Sequence, residues 1–240
     1  TKSSLMSAPA ELSIEYFDGI RGLVEPMRML LDIAGKKWTF KPVVFADWQA
    51  SHKAVVATYT PYAQVPVLVD PEAGVTIGQS RAIINHLARR FGYAGSTTAE
   101  SARVEEVTES AIELRDIIFK GVWDDAFAEK REKEMRTAYT DKLKQFEAYI
   151  TRNKLASSPF LVGRSLTIAD IQTALALEAA AALYPDVLTE ATHPTLAAFY
   201  SFFFNRGPAK DYVRSERRPR QTMPAFAKFG GKPEETVNWA

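Results

Sequence analysis

The sequence predicts an α+β N-terminal domain built on a mixed, four-stranded sheet, followed by an all-α domain. Two observations carry this expectation. From Leu12 to Phe91, short β signals alternate with helical ones in the order βαβ, an irregular stretch, then ββα. Beyond the small, polar run Gly92–Ala99, every periodic segment is helical and no internal repeat is visible.

The elements follow in order. Leu12–Phe17 places Leu12, Ile14 and Tyr16 on one strand face, and Asp18-Gly19 and Arg21-Gly22 mark a turn. Pro26 stands where a first helical turn tolerates proline; Met27, Leu30, Leu31 and Ala34 follow at helical spacing, with Gly35 as C-terminal cap. Trp38–Phe45 reads as a second strand that Pro42 assigns to an edge. Asp47–Ala63 has no clear period. Val65–Asp70 and Val75–Ile77 form a hairpin across Pro71-Glu72-Ala73-Gly74, and Ser80 opens a helix with Ile83, Ile84, Leu87, Ala88 and Phe91 on one face. A helical crossover gives a parallel pair and the hairpin adds antiparallel strands, so the sheet is mixed.

In the second half, Val104, Val107, Ala111, Leu114 and Ile118 form an apolar helical seam, and Met135, Tyr139, Phe146 and Ile150 form part of another. Thr167 and Asp170 spell a capping box with Leu166 as staple, and Pro194 starts a helix carrying Leu196, Phe199, Tyr200 and Phe203. After Gly207-Pro208 the chain turns basic and irregular. The expected units are 12–92, 100–205, and an extended C-terminal tail over 206–240.

Composition narrows the function classes. The 240 residues are 46% hydrophobic, enough for a packed core, and the net charge of +1 argues against a dedicated nucleic-acid binder. The absence of cysteine removes disulfides, zinc-thiolate sites and thiol nucleophiles. Three histidines without a shared motif argue against a His-rich metal centre, so none is assigned. No apolar run approaches the ~18 residues of a membrane span. The first residues lack an apolar signal core and read as a loose tail on a cytosolic protein.

Several residues can carry chemistry. Tyr16 ends a strand before a glycine-containing turn, a position where α/β units bind ligands and where a core aromatic is equally at home. Gln79-Ser80 stands at a helix N-terminus, which suits a carboxylate or serves as a plain cap. Val65-Pro66 opens a strand, where the proline keeps its neighbour's backbone groups free and a cis bond would hold that geometry. Trp48 and Lys53 offer an indole N–H and an ammonium to an anion, or lie in a surface loop. Arg214, Arg217, Arg218 and Arg220 form one basic patch, too short on a near-neutral chain to mark a polyanion site.

Taken in order, these pieces resemble the tyrosine-type cytosolic glutathione transferases of the mu, pi, alpha and sigma classes. The resemblance runs over YFDGIRGLVEPMRMLLDIAG, DWQASHK, YAQVPVL, IGQSRAIINHLAR, RSLTIADI and RRPRQTMPAFAKF, about residues 12–226. It implies a thioredoxin-like N-terminal domain with an all-helical domain behind it. It further implies a cytoplasmic homodimer that uses glutathione as co-substrate in detoxification, joining its thiolate to hydrophobic electrophiles. By the same resemblance the Tyr16 hydroxyl donates to the glutathione sulfur. Gln79 and Ser80 hold the γ-glutamyl carboxylate, and Val65, ahead of a cis Pro66, pairs its backbone with the cysteinyl unit beside Gln64. Trp48 and Lys53 take the glycyl carboxylate. Leu23 fills the place that other classes give to arginine. Glu105, with Glu106 as rival, reaches the partner subunit's glutathione, and Tyr62 and Arg81 fall at dimer-interface positions. Ile20, Ile112, Arg115 and Phe226 are candidates for the electrophile site. The turn after Tyr16 is one residue longer than the family pattern. Two other readings stay open: a non-catalytic member that binds glutathione or hydrophobic ligands, and a glutathione-dependent isomerase related to prostaglandin synthases.

Overall fold

The computed structural model describes residues 11–239; the tail expected over the first residues lies, except for Glu11, outside them. Strand β1 (Ser13–Phe17) leads through a one-turn 3₁₀ helix (Gly22–Val24) into α1 (Glu25–Ile33) and then β2 (Thr39–Val43). Two helical turns, α2 (Phe45–Asp47) and α3 (Lys53–Ala57), joined by a π-helical turn at Trp48–His52, occupy much of the stretch in which no period was visible, and Phe45, expected at the end of the second strand, belongs to α2. These turns are too short to show a periodic signal, and of their residues only Val56 is buried. The hairpin β3 (Val67–Asp70) and β4 (Val75–Gly78) follows, then α4 (Ser80–Phe91). β3 begins two residues later than expected, after Pro66, which has no N–H to give the ladder.

The sheet order is β2-β1-β3-β4, with β1 parallel to β2 and both other pairs antiparallel. It is therefore mixed and four-stranded, and Pro42 sits on the edge strand β2. Helices α1 and α4 pack together, and α4 covers β3 and β4. Ile14, Leu30, Leu68, Ile83 and Leu87 fill the space between them.

The helical part comprises α5 (Thr98–Gly121), α6 (Phe127–Lys130), α7 (Arg136–Asn153), α8 (Ile168–Leu183), α9 (Pro194–Asn205) and α10 (Lys210–Arg214). Thr97 caps α5 by accepting from the Glu100 amide at 3.1 Å. The capping box of α8 is complete: the buried Asp170 carboxylate accepts from the Thr167 amide at 2.8 Å and also from the Leu161 amide at 2.8 Å. α5 runs against α8, and α8 also contacts α1 and α4, so one apolar cluster joins both parts of the chain.

The segment after Asn205 corrects the expectation of an extended tail. It carries α10 and then folds back as a strap across the molecule. Gln221 forms a parallel bridge with Ile20, and the Arg21 and Gly22 amides donate to the Gln221 and Thr222 carbonyls, each at 2.9 Å. Arg218, read as part of a surface patch, is buried between two carboxylates, with its Nε 2.6 Å from Glu25 and its Nη1 2.9 Å from Glu178. A charge that looks solvated in sequence is buried because its acidic partners come from α1 and α8.

Candidate active site

β1 delivers Tyr16 to the mouth of the turn that links it to α1. The Tyr16 ring is 6% exposed, and the Leu23 amide donates to its hydroxyl oxygen at 3.0 Å. Gly22 makes this approach possible. Its φ is +47°, and a Cβ there would lie 2.4 Å from the Tyr16 oxygen. Burial pushes the Tyr16 hydroxyl above its ordinary range, and the pull of the Leu23 amide and of the Arg28 and Arg115 charges does not cancel that. Tyr16 therefore stays a neutral hydroxyl near pH 7. Its oxygen already accepts the Leu23 N–H, which leaves its own proton to donate.

The second wall comes from the β4–α4 junction. Gln79 has φ +68°, a strained conformation for a residue with a side chain, of the kind that gathers at ligand sites. Its amide nitrogen donates to the Gln64 side-chain oxygen at 2.9 Å, and the Val65–Pro66 peptide alongside is cis. The N-cap is Gln79 rather than Ser80. Ser80 is the first helical residue, so its backbone stands at the positive end of α4, a position suited to an anion.

Tyr16, Leu23 and Ser80 line one cleft of about 440 Å³, together with Ile20, Arg81 and Arg115. The far side is the last two turns of α5 and its end, where Phe119 and Trp123 face Phe17 and Phe45. Phe45 stacks on Phe17 with ring centres 4.1 Å apart. Phe226 closes the rim at 5.5 Å from Phe45 and 5.9 Å from Trp123, and is itself 67% exposed. The cleft thus has a polar end at Tyr16 and Ser80 and an aromatic mouth, an arrangement suited to a ligand with a charged body and an apolar partner.

Other expected residues lie away from this cleft. Trp48 is half-buried and packs edge-on to Phe17 at 5.4 Å, and Lys53 is exposed on α3. Glu105 is exposed on α5, while its neighbour Glu106 accepts the Tyr149 hydroxyl. Ile112 is 1% exposed and is not among the residues that line the cleft. Sequence reasoning missed Gly22, Phe45, Phe119, Trp123 and Met223. Gly22 alone carried a signal, as a turn glycine; the aromatic wall is assembled from distant segments.

The sequence of residues 24–90 matches the glutathione S-transferase N-terminal domain, and residues 112–216 match the glutathione S-transferase C-terminal domain. Glutathione S-transferase 1 of Ascaris suum is 33% identical over 187 residues, 75% of this chain and 84% of that one. The chain belongs to the glutathione S-transferase family. Glutathione S-transferase P of Bos taurus is 30% identical to this transferase over 204 residues, 85% of this chain and 91% of that one. Among solved structures, the transferase from Ascaris lumbricoides superposes with a TM-score of 0.71 at 27% identity, covering 88% of this chain and 99% of that one. A monomeric glutathione S-transferase from the hookworm Necator americanus gives 0.74 at 25% identity, covering 89% and 100%. The N-terminal match begins after Tyr16, so the part of this transferase that carries its candidate hydroxyl is placed by the fold rather than by that match.

Proposed function

We propose that this transferase ionises glutathione against Tyr16 and adds the thiolate to hydrophobic electrophiles held in the aromatic mouth of the cleft. The observation that carries the reading is the Tyr16 hydroxyl. It is buried and neutral, accepts the Leu23 amide, and has a free proton facing the cleft. A free thiol with pKa ~8.5 is only about 3% ionised at pH 7. Lowering that pKa by ~2 units needs roughly 2.7 kcal/mol, within reach of a charge-assisted hydrogen bond in a dry site. Between Phe17 and Gly35 there is no Ser, Thr or Cys, so no other side chain of the turn offers this bond.

Glutathione would then run along the polar wall. Ser80 and Gln79 take the γ-glutamyl carboxylate at the α4 N-terminus, Gln64 and the Val65 backbone take the middle, and Trp48 and Lys53 take the glycyl end. Leu23 contributes its backbone to the sulfur end. Ile20, Arg115 and Phe226 border the electrophile. Replacing Tyr16 with Phe keeps the ring packing and removes the donor. Thiolate absorbance of the glutathione complex, titrated in both proteins, is expected to show the bound thiol rising by ~2 pKa units and kcat at pH 7 falling roughly 25-fold. Superimposable titrations refute the reading.

We further propose a cytoplasmic, detoxifying homodimer. Tyr62 is 61% exposed and Glu105 is exposed too, which supports their facing a partner. Arg81 is held by Glu109 at 2.8 Å and Asp116 at 3.8 Å on its own α5, which favours an interface role through that helix. Among the described residues no helix is long and apolar enough to cross a membrane. The hookworm structure is monomeric, so sedimentation decides: a mass near twice 26.7 kDa at micromolar concentration is expected, and a monomer refutes the dimer.

A further inference from the structure

The strap after α10 lines the cleft with Met223 and closes its rim with Phe226, and its backbone holds the turn that the Tyr16 hydroxyl depends on. That turn is pinned at both ends. At its start, the Arg21 and Gly22 amides donate to the Gln221 and Thr222 carbonyls, and the Arg21 Nε donates to the Pro219 carbonyl at 2.7 Å. At its end, Glu25 receives the Arg218 Nε at 2.6 Å and the Tyr212 hydroxyl at 3.2 Å. Leu23, whose amide donates to Tyr16, lies between the two anchors.

The strap is itself locked. Arg218 uses its fork on Glu178 of α8, with Nη1–Oε1 at 2.9 Å and Nη2–Oε2 at 2.5 Å. Glu178 also receives the Trp239 indole N–H at 2.7 Å, and the Arg21 guanidinium stands 3.5 Å away. The side chains of Arg218, Glu25 and Glu178 are each at most 7% exposed, so this cluster is shielded from solvent. Burying three charges costs desolvation that only good geometry recovers, so such a cluster fixes one arrangement of the chain rather than a family of them.

We infer that Arg218 is a positioning residue for the transferase reaction: by clamping the strap to α1 and α8 it fixes the Leu23 amide on the Tyr16 hydroxyl, and so tunes how strongly that hydroxyl stabilises the bound thiolate. An O–H whose oxygen accepts a hydrogen bond is polarised and donates more strongly. Misplacing the Leu23 amide weakens the bond to sulfur without removing any group that touches glutathione. The inference rests on the reading of Tyr16 as donor to the thiol.

The test titrates the thiolate absorbance of the glutathione complex in the parent, Tyr16→Phe, Arg218→Gln and the double variant. Arg218→Gln is expected to raise the bound-thiol pKa by about 0.7, a roughly 5-fold loss of thiolate where the thiol is mostly protonated, the size of one hydrogen bond. In the Tyr16→Phe background the same substitution is expected to add no further shift, because the two act in series. Arg218→Lys keeps the charge without the fork and is expected to shift less in the same direction. If Arg218→Gln does not fold, Arg218→Lys and Trp239→Phe, which removes one donor from Glu178, carry the comparison. A Tyr16→Phe titration equal to the parent's overturns the reading of Tyr16 and this inference with it. A shifted Tyr16→Phe beside parent-like Arg218 variants overturns the positioning role alone. So does an Arg218 shift that persists in full in the double variant.

Discussion

Gly19 and Gly22 form a controlled pair within one turn. Both have positive φ, +71° and +47°, so replacing either with Ala imposes similar backbone strain, on the order of 1 kcal/mol. They differ in what a new methyl group meets. At Gly19 it meets nothing within 4 Å; at Gly22 it lies 2.4 Å from the Tyr16 oxygen, 2.8 Å from Cε1 and 3.0 Å from Cζ. Restoring ordinary contact needs the ring, or the turn, to recede by about 1 Å. The ring is 6% exposed in a packed core and cannot swing aside freely, so the 3.0 Å bond from Leu23 stretches beyond hydrogen-bonding range. A displacement of that size at a reacting group costs up to about 100-fold in rate. Gly19→Ala is therefore expected to lower the melting temperature slightly and leave conjugation rates intact. Gly22→Ala should lose stability and also up to roughly 25-fold in kcat at pH 7, the loss expected for removing the Tyr16 hydroxyl itself, with the loss shrinking as pH approaches the thiol's own pKa. Stopped-flow conjugation rates from pH 6 to 9, beside thermal melts, measure both effects. Equal kcat values in the two variants refute the claim that Gly22 exists to admit Tyr16.

The other predictions concern binding and pH. Ser80→Ala and Trp48→Ala are expected to weaken glutathione binding roughly 10- to 150-fold each, the range for a hydrogen bond to a charged group, with kcat at saturation nearly held, because their partners lie far from the sulfur; calorimetric affinities equal to the parent's refute the placement of glutathione. Burial alone would raise the Glu178 carboxyl, but Arg218 and Arg21 outweigh it and hold the group down at about 2 against an ordinary 4.5. A lowered folded pKa means its stabilisation is complete above about pH 4.5 and is lost as pH falls towards 2, roughly 3 kcal/mol in all. Urea unfolding across that window should show the parent losing this amount relative to Glu178→Gln; parallel pH profiles refute it.

What the sequence revealed depended on the range of the signal. β1, α1, the hairpin, α4 and the α5 seam are written in local periodicity, and the box of Thr167 and Asp170 in a four-residue motif; each appears where expected. The turns from Phe45 to Ala57 were invisible because their support is tertiary, through Val56 in the core and the Phe17–Phe45 stack. The strap was misread for the same reason. Arg218 lies 193 residues from Glu25 and 40 from Glu178, and no window on the sequence joins them. The polar residues of the candidate site were singled out through the resemblance to the family. The aromatic wall was not, because Phe45, Trp123 and Phe226 come from three separate segments.

The split between these walls bears on how the reaction is accelerated. Contacts to the two carboxylates of glutathione are the same before and during bond formation, so they hold the nucleophile without lowering the barrier once it is bound. In the proposed mechanism Tyr16 acts differently, because its bond would strengthen only when the sulfur carries charge, which is the state that attacks. Its raised pKa is part of that role: a tyrosine that ionised near neutrality would have no proton to donate and would set a second negative charge beside the thiolate. Burial of the ring, the glycine that admits it and the amide that orients it together hold a neutral hydroxyl at the cleft, which is what the proposed role requires. On the same proposal the aromatic mouth would supply what the polar wall cannot, apolar surface that brings the electrophile to the thiolate and displaces water from it.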